Sequence, residues 1–184
     1  MTDSFKIVSY WAGGHELVKD GFGFYDGDLF DTGLFEKGKV VGGYRDSVWY
    51  INAGDSVLSR EWYEKGQFLR GESTYKDELI KYDEIVEQAV FPGEIKGMMR
   101  FLQKNIKYPP EARQAGMQDR VFVKFEVDAQ GKISAIRVIK GRYESLNKEA
   151  IRVVRSSPKW IPGKLRGIPV KSDFVLPINF KLDL

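Results

Sequence analysis

The stretch Arg120 to Lys140 constrains the fold most. Val121, Val123, Phe125 and Val127 alternate with Phe122, Lys124 and Glu126. Period-two alternation of β-branched and aromatic residues predicts a strand with one face on a core. Asp128 to Gly131 then supplies a reversal. Glycine there can take a positive φ, and aspartate can bond locally through its side chain. Ile133, Ala135 and Ile139 continue the apolar set on the return strand, while Ile136 and Val138 fall on its other face. The stretch reads as a β-hairpin whose second strand is open to cover on both sides.

Helical patterns flank the hairpin. Ile95, Met98, Met99 and Leu102 recur at helical spacing up to about Asn105, and Tyr108-Pro109-Pro110 stops that run. A proline can open the next short helix, Glu111 to Ala115, because a first-turn proline loses no needed hydrogen bond. Gly116 ends it as a glycine cap. Beyond the hairpin, Ser145 is the expected N-cap of a third helix with the apolar stripe Leu146, Ala150, Val153 and Val154. Val170 to Leu182 closes the chain as a strand. Pro177 within it cannot donate to a ladder, which suits an edge strand. That proline either limits where an incoming strand can pair or blunts the edge against aggregation.

Composition narrows the chemistry. The 184 residues suit one or two domains. No apolar run reaches the length of a membrane helix, and the start Met1-Thr2-Asp3-Ser4-Phe5-Lys6 has no apolar core behind it to make a secretory signal. The protein is therefore expected to be cytosolic, or to have its targeting or anchoring segment outside this sequence. Absence of cysteine excludes disulfides and thiolate zinc sites, and His15 is the single histidine. No Gly-x-Ser-x-Gly elbow is present, so no enzyme and no cofactor are expected, although a glycosidase-type carboxylate pair stays open. Charge divides the chain. Ala89 to Leu184 carries 19 basic and 9 acidic residues, and the rest carries 10 and 17. Opposite signs suggest two modules, with the boundary placed at 87/88. The basic half shows no phosphate loop or base-reading helix, so nucleic acid ranks last among partners.

The first module, 1–87, is dense in glycine and aromatics. From Gly13 to Ser73 the apolar runs are short and turn residues recur, which predicts successive β-hairpins. Phe35-Glu36-Lys37-Gly38-Lys39-Val40-Val41-Gly42-Gly43 lines up with Tyr63-Glu64-Lys65-Gly66-Gln67-Phe68-Leu69-Arg70-Gly71 at an offset of 28, with Tyr25 to Leu29 as a partial copy. A fixed offset implies stacked units. The module resembles MORN-type repeats, in which tyrosine-glycine hairpins stack into a meandering sheet. Its aromatics are read first as the core of a thin sheet and second as a ligand surface. Thr74 to Gln88 reads as a last strand pair or a linker.

In the second module four motifs fall in order: Tyr108-Pro109-Pro110-Glu111-Ala112, the hairpin with Gly131, Trp160-Ile161-Pro162-Gly163-Lys164, and Leu176-Pro177-Ile178-Asn179-Phe180. Together they resemble the TonB C-terminal domain, from Phe91 to Leu184. Asp119 departs from the glycine usual before the first hairpin strand. The resemblance implies an α+β fold overall: an all-β repeat module, then a three-stranded antiparallel sheet with helices on one face (88–184). It implies a periplasmic protein, membrane-anchored in its full length, that couples to outer-membrane transporters. Its partner would be a transporter peptide that adds as a strand, with inner-membrane motor proteins engaged through the anchor. Partner-contacting residues carried over are Asn105, Ile106, Lys107 and Tyr108, with Lys171, Ser172, Phe174, Leu176 and Ile178 on the last strand. Lys164, Arg166 and Lys171 cluster before that strand, either to receive an acidic peptide or to keep the surface soluble. Exchange of edge strands is the route to a homodimer. A cell-envelope scaffold whose repeats bind protein or glycan is the alternative reading.

Overall fold

The computed structural model describes residues 6–28, 34–53 and 56–182. The chain divides into two compact units. The first comprises Met1–Glu87 with Leu165–Ile168, and the second comprises Gln88–Lys164 with Pro169–Leu184. A four-residue excursion of the later sequence therefore belongs to the first unit. No helix among the described residues is long and apolar enough to cross a membrane.

The first unit is an eight-stranded antiparallel meander in sequence order. Its strands are β1 (Tyr10–Ala12), β2 (His15–Lys19), β3 (Phe22–Gly27), β4 (Phe35–Val41), β5 (Tyr44–Ala53), β6 (Ser56–Glu64), β7 (Gln67–Tyr75) and β8 (Glu78–Tyr82). One face buries Val18, Tyr25, Val40, Trp49, Tyr63, Phe68 and Tyr82. Aromatics supply most of that area, as a thin sheet requires. Tyr25 stacks on Trp49 at 5.9 Å, and Phe68 stacks on Tyr82 at 5.8 Å. Burial raises the Tyr25 hydroxyl to a pKa of about 12, helped by the neighbouring Tyr10 and carboxylates.

The repeat differs from the one read at offset 28. Gly38 lies inside β4, whereas Gly66 lies in the turn after β6. The two Lys-Gly pairs match in letters and not in place. The structural period is set by the turns, where Gly21, Gly43 and Gly66 have φ of 81°, 86° and 82°. They recur after 22 and 23 residues. These turns stack: Gly43 N–H donates to the Gly21 carbonyl, and Gly66 N–H to the Arg45 carbonyl. The partial copy at Tyr25 runs into Leu29, which lies outside the described residues.

Within the strands, glycine has a second role. A Cβ on Gly38 would stand 2.4 Å from the Trp49 ring, and one on Gly71 would stand 2.1 Å from Tyr82. Each glycine is a flat seat for the aromatic of the next strand. Thr74 to Gln88 resolves into the end of β7, then β8 and the two-residue strand β9 (Val86–Glu87).

The second unit contains α1 (Glu94–Asn105), α2 (Pro110–Gln114), β10 (Asp119–Val127), β11 (Ile133–Lys140) and α3 (Glu144–Arg155). The two-residue strands β12 (Lys164–Leu165) and β13 (Ile168–Pro169) flank Arg166-Gly167, and β14 (Ser172–Phe180) follows. The sheet order is β11-β10-β14. Val121, Val123, Phe125 and Val127 are fully buried, with Leu146, Ala150, Val153 and Val154 of α3 in the same core. Trp160 lies edge-on to Phe125 and Phe174, and its backbone N–H donates to the Gly131 carbonyl at 2.9 Å.

Two local readings are corrected. The apolar phase of β11 shifts at Ala135, whose φ is +51° and where the register to β10 slips by one residue. An extra residue in one strand flips the parity of the positions after it, here as far as a second slip between Val138 and Lys140. Ile133, Ile136 and Val138 therefore all pack on the core, and Ile139 is exposed. Ser145 is not the cap of α3. Tyr143 takes that position, its carbonyl accepts from Asn147 N–H, and Ser145 lies within the first turn.

Gly38→Ala or Gly71→Ala should each destabilise the first unit by about 1–3 kcal/mol through overpacking. Urea unfolding followed by tryptophan fluorescence measures this. An unchanged midpoint in both variants would mean that the rings do not need those seats.

Candidate protein-binding edge

β10 is the central strand and pairs with β14 without a break, from Asp119 opposite Phe180 to Val127 opposite Ser172. In an antiparallel ladder the backbone groups of alternate residues point to opposite sides. Asp128 N–H donates to the Lys132 carbonyl at 3.0 Å, toward β11. Even-numbered residues of β10 therefore bond to β11, and odd-numbered ones bond to β14. Their partners on β14 are even-numbered, so Asp173, Val175, Pro177 and Asn179 turn their backbone groups outward. Pro177, which has no N–H, stands where no ladder bond is required of it. Among the described residues no strand lies beyond β14. The open edge offers N–H donors at 173, 175 and 179, with carbonyls between them.

The carried-over residues sort into two groups. Leu176 and Ile178 are buried and Phe174 packs on the core, so their side chains face inward. What β14 offers a partner is its backbone, together with the exposed side chains of Asp173, Val175 and Asn179. Ser172 opens the strand with its hydroxyl buried, and Lys171 reaches Glu126 at 3.4 Å. Tyr108 sits at the opposite end, its ring edge-on to Phe180 at 5.9 Å and its hydroxyl donating to the Met117 carbonyl. Eight residue steps of strand separate these ends by about 27 Å. The two groups bracket the edge rather than forming one cluster.

Asn105 to Lys107 is held from α3. Arg152 donates to the Asn105 carbonyl at 2.6 Å, and Lys107 N–H donates to Glu149 Oε1 at 2.6 Å. Glu149 also accepts two bonds from Arg152 at 2.7 Å. Burial raises the Glu149 pKa, but the bonds from Arg152 and from the Lys107 backbone outweigh it, and the net shift is downward. Ile106 packs on the core, and Lys107 leaves its side chain exposed. A shallow depression of about 340 Å³ beside this segment includes Lys107, Tyr108, Lys148 and Arg152 in its lining. The spacing of Glu149 to Arg152, three residues on a helix, is the sequence signal for this pair.

Asp119, the departure from the family pattern, has a defined task. Its carboxylate accepts Arg142 N–H at 2.6 Å and Arg120 N–H at 2.8 Å. The bond from the Arg142 backbone is the largest of the causes that hold its pKa down. The side chain thus ties the start of β10 to the loop before α3.

Arg166 is not available to an incoming peptide. It belongs to the first unit, where its Nε donates to Glu61 at 2.8 Å and its Nη2 lies 3.5 Å from Glu36. Glu61 is fully buried and also accepts the hydroxyls of Tyr63 and Tyr82 at 2.7 and 3.0 Å. Burial, then the Glu61 charge, raises both tyrosine pKa values.

A three-stranded sheet backed by helices, whose last strand has no outer neighbour among the described residues, defines a small α+β domain. Residues 104–182 match the family described as Gram-negative bacterial TonB protein C-terminal. That family consists of protein-interaction domains rather than enzymes, and the match supports a TonB-like protein-binding role for the second unit. Among solved structures, the NMR solution structure of the Helicobacter pylori TonB-CTD (residues 179-285) matches at 22% identity and a TM-score of 0.38, covering 47% of this chain and 78% of that chain. No curated protein matches.

Native-state hydrogen exchange should show fast amides at Asp173, Val175 and Asn179, and protected amides at Phe174, Leu176, Ile178 and Phe180. Uniform protection along β14 would contradict the open edge. The Glu149 pKa is lowered on folding, so its contribution to stability is present above the ordinary carboxylate range and is lost as pH falls through the folded value. Glu149→Gln should cost about 1–3 kcal/mol at pH 7. It should also flatten the acid limb of stability against pH, and an unaltered limb would rule this role out.

Proposed function

We propose that the second unit binds an extended segment of an outer-membrane transporter by strand addition at β14. In this reading the protein is a periplasmic, membrane-anchored energy transducer in its full length. The observation that carries it is the row of outward backbone groups at Asp173, Val175 and Asn179 on a strand with no outer neighbour among the described residues. Added main-chain bonds give affinity, and pockets for alternate side chains give specificity. The family match of residues 104–182 supports the same role, since TonB C-terminal domains act on outer-membrane transporters.

The residues carried over from the family take roles that differ from side-chain contact. Ser172, Phe174, Leu176 and Ile178 hold β14 in register by bonding to β10. Lys171 and Lys107 place exposed cations at the two ends of the edge, where acidic residues flanking the added strand can meet them. Asn105, Ile106 and Tyr108 fix the chain beside the Phe180 end. Pro177 leaves a gap in the donor row, so the added strand pairs in two short stretches on either side of it. The first unit is read as a MORN-like module with a turn period of 22 to 23 residues.

Titration with extended transporter peptides should move the amides of 173, 175 and 179 and those of 105–108. Val175→Pro removes one outward donor without touching the bonds to β10. It should weaken peptide binding at least about tenfold, the scale of one lost hydrogen bond left unreplaced, while the fold persists. Full affinity in that variant would place binding elsewhere.

A further inference from the structure

The face of the eight-stranded sheet opposite its aromatic core carries a register row that no function above uses. It runs Asp26, Lys37, Tyr50, Arg60, Glu72, Lys81 across β3 to β8, each residue directly opposite the next. The alternation that buries Tyr25, Gly38, Trp49, Glu61, Gly71 and Tyr82 turns this row to the other side.

Its charge runs against that of its module. Of the ten basic residues before Ala89, six lie on this face: Lys19, Lys37, Lys39, Arg60, Arg70 and Lys81. Of the seventeen acidic residues there, this face has four: Asp26, Asp46, Glu64 and Glu72. The parent module is net acidic, and this face is net basic. Aromatic rings are interleaved with the cations. Phe22 and Phe24 are 59% and 49% exposed, and the Arg70 guanidinium lies 4.0 Å over the Trp62 ring. Glu72 lies 3.3 Å from Arg60 and 3.8 Å from Arg70, so it orients both guanidiniums and leaves the trio positive.

We infer that this face binds a glycan strand bearing an acidic group on alternate sugars. In the row, the cations Lys37, Arg60 and Lys81 stand on every second strand, about 9–10 Å apart at ordinary strand spacing. The positions between them hold a ring, Tyr50, and a carboxylate, Glu72. A chain charged at every second sugar repeats at a comparable distance, and its uncharged sugar can lie flat on the ring. A nucleic-acid strand has a phosphate at every nucleotide and would set one against Glu72. A membrane surface would find exposed apolar side chains here, Phe22, Phe24, Phe35 and Leu79, but its layer of anionic headgroups would also meet Asp26 and Glu72 within the row.

The test uses the full chain and hyaluronan oligosaccharides, which carry one carboxylate per disaccharide, with binding read by tryptophan fluorescence and amide shifts at low salt. The expected result is saturable binding with shifts on Lys37, Tyr50, Arg60 and Lys81, at least about tenfold weaker in Arg60→Gln/Lys81→Gln and in Tyr50→Ala. Lys96→Gln in the other unit should bind as the parent does. Unchanged melting temperatures of the variants exclude unfolding as the cause. Absence of binding, equal binding of neutral dextran, or tighter binding of single-stranded DNA, anionic vesicles or acidic peptides would each overturn the inference. None of these outcomes touches β14.

Discussion

A backbone amide withdrawn from water must find a partner, and the central strand of the second unit shows how that requirement propagates. β10 has β11 on one side and β14 on the other, so both sets of its groups are satisfied. Its odd-numbered side chains enter the core, and its odd-numbered backbone groups bond to β14. Burial and ladder direction are thus locked to one parity. The same parity leaves β14 with inward side chains at Phe174, Leu176, Ile178 and Phe180 and outward backbone at the residues between them. The core therefore decides which amides are free. A slip of one residue would expose those side chains and turn the other set of amides outward.

The first unit meets the problem of a thin sheet differently. Its strands follow one another in order, and its burial comes from rings set against glycines of neighbouring strands. Glu61 is the exception, a carboxylate within an aromatic layer. An unpaired buried carboxylate would be costly, but here two tyrosine hydroxyls and two arginines, Arg45 and Arg166, surround it. The excursion Leu165–Ile168 is what completes that shell. Ser73 adds a bond to the Arg166 carbonyl at 2.8 Å, so the excursion is held by its backbone as well as by its charge.

Much of this was legible in the sequence, and the failures have specific causes. The alternation from Val121 to Val127 named the central strand because one of its faces is polar enough to set the phase. The phase of the return strand is hidden because one of its two register slips falls on Ala135, a residue type that carries no signal for a positive φ; a glycine there would announce it. The offset of 28 matches two Lys-Gly pairs, one in a strand and one in a turn, whereas the turn glycines Gly21, Gly43 and Gly66 recur after 22 and 23 residues. Ser145 has the chemistry of a cap but lies inside a helix that starts one residue before it. The pairs Lys107 with Glu149 and Arg166 with Glu61 span 42 and 105 residues. No local pattern reports contacts of that range.

Charge was the least legible property, because a formal count does not distinguish cations already engaged from cations on offer. Arg166 and Arg152 are both basic residues of the second half, and both are engaged by carboxylates. Arg142 leans on Asp119 and Lys124 on Asp173. A surplus of ten thus shrinks, at the edge itself, to exposed side chains such as Lys107 and Lys171, and even Lys171 lies within reach of Glu126. In the first half the opposite holds. The module is acidic in sum, yet its sheet gathers most of its cations on one face, because alternation along each strand separates side chains by parity. Position in the ladder, more than net charge, therefore decides which surface attracts an anion. It does so for the same reason that it decides which amides of β14 stay free.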